Sequence, residues 1–435
     1  LKGTYLKALI HSLELPMRFF LKLSLFASLL FSASTQASVW DDNQVWSLQY
    51  EDEFANWMQS PSVNEKMFTD SKSPYYGVST DCADTSYALR AIFAFEHKLP
   101  FAIYSPSGSR NANKAFSNRQ TSWDKLATNQ QRLIRMINEI GMSVGTENLA
   151  HFDTFPAAIK RINPGTLFMY KIKARFGKFI RHSYNIKAIN PVGTFDVIYS
   201  TQANKAKGLP LIRRKEIEFD HAPTEPFGFR KFKWPEHLGL AASLIPAELG
   251  SSTEQYTLVR SMGVNGFFKY VTKTLSSVNE TTDERLVRLF KSVCNESIAR
   301  IDYVNQGLAY SKETNNKCMN YEMFDAFSTP ARDQSLKELF ERLLRAYTEI
   351  QSSGEINNTP PELREFLEII FKNKNVAHTE LLAACPVAYR ADTSIDLAIL
   401  WKRISNEMLS SHPNDRAEAR WGETSKNLTK CKRWY

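Results

Sequence analysis

Apolar and polar positions along the chain alternate with two periods, first helical, then of two, then helical again. From Tyr87 to Phe95 the apolar residues Tyr87, Ala88, Leu89, Ala91, Ile92, Phe93, Ala94 and Phe95 surround a helical axis, interrupted by Arg90. A helix that is apolar nearly all round belongs inside a core. Asp81 can cap its start with Asp84 three residues on, and Pro100 ends it. Upstream, Val45, Leu48, Phe54, Trp57 and Met58 share helical spacing. Downstream, Ser105 to Ser122 is a Ser-, Asn- and Gly-rich loop long enough for a lid. Thr121 and Ser122 then cap a helix striped by Leu126, Leu133, Ile137 and Ile140, and Phe155 to Ile162 reads as one more short helix.

The period then changes to two. Gly165 to Ile172 is an extended apolar segment, and Ile180 to Ile189 alternates strictly. In the latter His182, Tyr184, Ile186 and Ala188 share one face, Ser183, Asn185 and Lys187 the other. Asn190 to Gly193 is a turn, and Thr194 to Thr201 returns as the next strand. Arg213 to Phe219 and Phe227 to Trp234 complete a meander, the last with Arg230, Lys231 and Lys233. From Pro246 the pattern is helical over Asp283–Asp302, Ser335–Gln351, Pro361–Lys372 and Ser394–Leu409. The clearest stripe is Leu336, Phe340, Leu343, Tyr347 and Ile350. The expectation is an α+β domain over residues 38–240 followed by an all-α domain over residues 246–435.

Residues 1–37 read as an upstream segment plus a secretory signal peptide. Met17 to Lys22 is basic, LSLFASLLFSA is a short apolar run, and small residues surround a cut after Ala37. An exported protein, periplasmic or extracellular, follows. Loss of Lys2, Lys7, Arg18, Lys22 and Glu14 lowers the net charge from +9 to +6, which suits anionic surroundings such as a cell envelope. No arginine-rich run or nucleic-acid motif accompanies that charge, so nucleic acid is not an expected partner. In an oxidising compartment the five cysteines are informative. The simplest pairing is Cys294–Cys318 and Cys385–Cys431, which leaves Cys82 as the free thiol.

Cys82 is then placed at the first position of the core helix, where the amide dipoles favour thiolate. Among the eight histidines, His182 opens a strand on its apolar face and is the candidate base. A cysteine starting a core helix, a Gly-initiated strand after Asn163-Pro164, and a histidine opening the next strand resemble the papain-like superfamily. The likeness is nearest to NlpC-type cell-wall peptidases, while Asp81-Cys82 also resembles the start of transglutaminase-like members. The resemblance covers Tyr76 to about Thr201. Thr166 stands where that family's motif has aspartate, and the Cys-to-His separation is longer than usual there. It implies a papain-like fold with Cys82 as nucleophile and His182 as base in hydrolysis of amide bonds in cell-wall peptides. Transamidation or deamidation on the same pair is the enzymatic alternative, and a non-catalytic envelope-binding scaffold is the other. The post that orients the imidazole stays vacant: Asp196 pairs away from His182, toward Lys187. The helical domain is read as a packing or partner-binding unit. No phosphate loop, Gly-x-Ser-x-Gly, His-Glu-x-x-His or Cys-x-x-Cys occurs, so neither cofactor nor metal is expected.

Overall fold

The computed structural model describes residues 38–104, 116–173, 179–200, 210–372, 378–426 and 428–434. The signal segment, most of the expected lid and Thr201 lie outside the described residues. In chain order come α1 (Leu48–Gln59), α2 (Cys82–Glu96), the two-residue strands β1 (Ala102–Ile103) and β2 (Phe116–Ser117), α3 (Asn129–Ser143) and the single turn α4 (Thr146–Asn148). Six antiparallel strands follow: β3 (Thr154–Pro156), β4 (Leu167–Lys173), β5 (Phe179–Ile189), β6 (Phe195–Tyr199), β7 (Ile212–Ile217) and β8 (Gly228–Phe232). They lie in the spatial order β3-β8-β4-β5-β6-β7. The helices after them are α5 (Glu254–Leu275), α6 (Thr282–Glu313), α7 (Tyr321–Phe327), α8 (Pro330–Ser353), α9 (Pro361–Lys372) and α10 (Thr379–Ala384). A hairpin of β9 (Val387–Arg390) and β10 (Thr393–Ile395) precedes α11 (Leu397–Ser405).

The fold is α+β, with the sheet covered on both faces. Leu167, Met169 and Ile198 point into one core with α1, α2 and α3, where Phe54, Tyr87, Phe93 and Ile137 are buried. Their strand neighbours Phe168, Ile186, Val197 and Tyr199 point into a second core with Phe267, Phe268 and Val271 of α5. The meander turn holds Gly193 at φ +80, and a Cβ there would sit 2.0 Å from the Thr272 carbonyl of α5, so glycine permits both the turn and the approach. A third core joins α6, α8, α9 and α11 and contains every member of the Leu336–Ile350 stripe.

Several expected elements are corrected. The region after residue 246 is helical but not all-α, since β9 and β10 form a hairpin within it. Phe155 to Ile162 is β3 followed by a single 3-10 turn, because Thr154, Phe155 and Pro156 pair with Phe232, Lys231 and Arg230 of β8. The helix expected from Thr121 begins at Asn129, capped by Thr128. The disulfides are Cys294–Cys385 and Cys318–Cys431, not the pairs of sequence neighbours. The reason is the length of α6: it continues 19 residues past Cys294, about 28 Å of helix, which carries Cys318 out of reach. Cys82 is the free cysteine. Two disulfides agree with export, and no described helix is long and apolar enough to cross a membrane.

Candidate functional site

Cys82 occupies the first position of α2. Asp81 caps the helix, its carboxylate accepting from the Asp84 amide at 3.0 Å while Asp84 accepts from the Asp81 amide at 3.0 Å. The small residue Ser86, one turn along, lets α2 approach β5, and its hydroxyl meets that of Ser183 at 3.1 Å. The Cys82 sulfur lies 3.5 Å from the Thr146 hydroxyl of α4 and also takes the Ser183 amide.

The polar face of β5 is therefore the one that lies under α2. Ser183, Asn185 and Lys187 are all buried, and each has a partner. Asn185 donates to the Ile198 carbonyl at 3.1 Å. The Lys187 ammonium donates to the Met58 and Ser60 carbonyls at 2.8 and 3.0 Å, closing the C-terminal end of α1.

His182 points the other way. Its ring packs 4.4 Å from Tyr184 and 5.0 Å from Tyr199, both edge-on, and 5.9 Å from Tyr170, on the face covered by α5. It is buried, and its Nε2 has no hydrogen-bond partner among the described residues. No hydrogen bond joins the imidazole to the Cys82 sulfur among the described residues, and the sulfur's polar neighbours are the Thr146 hydroxyl and the Ser183 amide. Asp196, the unplaced orienter, accepts from Arg213 at 3.0 Å and from Asn190 at 3.1 Å. A bulge after Ile186 pairs it with Ala188 instead of Lys187.

Electrostatics follow this placement. Burial pushes the Cys82 thiol up to about 12, the Asp81 and Asp84 carboxylates add to it, and the Thr146 hydroxyl and Ser183 amide oppose it without offsetting it. Near the start of a helix the amide dipoles favour thiolate, but here burial of the sulfur and, after it, the charge of the capping Asp81 raise the thiol. Burial also holds the His182 imidazole down at about 3, helped by the nearby charges of His221 and Arg214. At neutral pH this pair is a thiol and a neutral imidazole with no hydrogen bond between them among the described residues.

The polar groups that do gather beside Cys82 were not singled out from sequence. Glu147, next to Thr146, takes Lys171 at 2.7 Å, Arg181 at 2.5 Å and His151 at 3.2 Å. Burial acts to raise its carboxyl, and the bonds from Lys171 and Arg181 outweigh that and hold it below its usual value. Deeper in, Asp153 accepts from the Tyr87 hydroxyl at 2.6 Å, the Tyr104 amide at 2.7 Å and Asn148 at 2.7 Å. Burial still raises its carboxyl to about 7. The signal available for this network was an acid in the run Phe152-Asp153-Thr154-Phe155, with no periodicity to place it. Among the described residues no three His, Cys, Asp or Glu side chains gather as a metal site. In comparisons with protein-family models, curated proteins and solved structures, the chain matches none.

Proposed function

We propose that this is an exported, non-catalytic scaffold or binding protein of the cell envelope, built on a helix-covered antiparallel sheet. The observation that supports this reading is that His182 Nε2 has no hydrogen-bond partner, the Cys82 sulfur included, among the described residues. Thiol-dependent amide hydrolysis needs a base within reach of the nucleophile's proton. The groups nearest the Cys82 sulfur are the Thr146 hydroxyl and the Ser183 amide, and neither can take that proton at neutral pH. The raised thiol points the same way, since a protonated sulfur is a poor nucleophile.

The test is alkylation of Cys82 with iodoacetamide across pH, in the native protein and in His182→Ala. The scaffold reading expects labelling only in alkaline buffer, with the same profile in both proteins. Ready labelling in mildly acidic buffer, shifted upward in pH by His182→Ala, would restore the amide-hydrolase reading and its cell-wall peptide substrate.

A further inference from the structure

The strand β8 and its flank carry three cations, Arg230, Lys231 and Lys233, and two of them are spoken for. Arg230 is buried and donates to the Thr154 hydroxyl and carbonyl, both at 2.7 Å. The Lys233 ammonium donates to the Leu240 carbonyl at 2.8 Å. Lys231 is different: it is half-buried, and its ammonium makes no hydrogen bond or ion pair among the described residues. It lines a cavity of about 190 Å³ between the start of α1, the β3 edge and the 3-10 turns before α5.

Two more cations line the same cavity, Lys160 and Arg161, and neither has an ion-pair partner among the described residues. The acidic groups on the wall are Glu51, Asp52 and Glu248. Glu51 is already committed, to Arg90 at 2.5 Å and to the Trp234 indole at 2.7 Å. That leaves Asp52 and Glu248 against three uncommitted cations, a local excess of one positive charge. Phe155 and Trp234 supply an apolar wall. Burial, together with the positive charges of Arg90 and Arg161, holds the Lys231 ammonium below its usual value, although Glu51 and Asp52 act to raise it. A bound anion would relieve that penalty.

A single excess charge matches a monoanion. A doubly charged phosphate would also have to lie beside the carboxylates of Asp52 and Glu248. Lysine and arginine together can grip both oxygens of one carboxylate, while the aromatic wall takes an attached apolar group. We propose that this cavity binds one carboxylate on a small apolar body, the chemistry of a peptide C-terminus. The site lies apart from Cys82 and His182, so it does not depend on whether the thiol is reactive.

The experiment is calorimetric titration of the full disulfide-bonded chain with N-acetyl-alanyl-alanine, with the same dipeptide as its C-terminal amide, and with inorganic phosphate. The acid is expected to bind at least tenfold more tightly than the amide. Lys231→Met should weaken the acid about tenfold and leave the amide unchanged. Lys160→Met, at an exposed position, should weaken it severalfold with the unfolding midpoint unchanged. Equal binding of acid and amide, no binding of either at millimolar concentration, or tighter binding of phosphate than of the acid would each overturn the proposal.

Discussion

Under α2, the side chains of Ser183, Asn185 and Lys187 each end on a hydrogen-bond partner, whereas across the same strand His182 sits among Tyr170, Tyr184 and Tyr199 with an imidazole nitrogen that has no partner among the described residues. Both faces are buried, yet they are filled by different means. The α2 side carries a row of polar groups satisfied one by one beside the apolar core of Leu167, Met169 and Ile198. The α5 side is an aromatic layer in which shape and edge-to-face ring contacts do the packing. Because a buried polar group is costly only when it lacks a partner, the first face should be intolerant of deletions and the second tolerant of apolar replacement.

The largest expected effect is on the α2 side of the sheet, at the junction of α2 with α1. Arg90 is buried, paired with Glu51 and stacked 3.5 Å over the Trp46 ring. Arg90→Leu strands the Glu51 carboxylate and should cost about 3–5 kcal/mol in urea unfolding. His182→Phe on the other face, by contrast, should change stability little at pH 8. If the two variants lost stability equally, the contrast between the faces would be wrong.

Two buried groups, Asp153 bonded to Tyr87 of α2 and His182 in the aromatic layer, also predict opposite responses to pH. Asp153 has a folded value raised from 3.8 to about 7, so its contribution is complete in acid and is lost as pH rises through that window. His182 has a folded value lowered from 6.5 to about 3, so its contribution is present above 6.5 and is lost as pH falls toward 3. Where the windows overlap they oppose one another, at up to about 1.4 kcal/mol per pH unit each. Asp153→Asn should therefore expose the acid loss and His182→Phe the loss toward neutral pH, each read from urea midpoints between pH 4 and 8. Unchanged slopes in both variants would mean that other groups set the profile.

The smallest effect concerns the contact between α2 and β5. Ser183→Ala removes one hydroxyl from the Ser86 pair and should cost about 1 kcal/mol in unfolding free energy, with the strand's pairing intact. A loss several times larger would mean that Ser183 holds more of the polar row together than its one side-chain bond.

Much of the fold was legible because apolar stripes mark buried faces. The Leu336–Ile350 stripe and the core helix after Asp81 both emerged where their patterns put them. The site was not legible for the same physical reason. Alternation in β5 separates two faces correctly but says nothing about which one meets the cysteine helix. Ser183, Asn185 and Lys187 look like a solvated face, and a polar residue reads as exposed unless its partner is known. The partners lie far off in sequence, 127 and 129 residues away for Lys187, where local patterning has no reach. The disulfides failed similarly, because sequence proximity ignored the length of α6 beyond Cys294. The β3 strand was missed because three residues are too few to show a period, and only β8 makes them a strand.

That last strand sets an order of assembly. β8 is the final strand of the sheet to be made, yet it lies second in space, between β3 and β4. Until Gly228–Phe232 arrives, a chain delivered from its N-terminus holds a sheet with a gap, and the facing edges of β3 and β4 have unpaired amides and carbonyls. Arg90 meanwhile has Glu51 but lacks the Trp234 indole that completes their junction. A growing or secreted chain thus stays open to wrong strand pairing over the 54 residues, 174–227, between β4 and β8, an interval that a holding chaperone could cover. Amide exchange in fragments ending before and after residue 234 would show it: protection in β3 should appear only with the longer one.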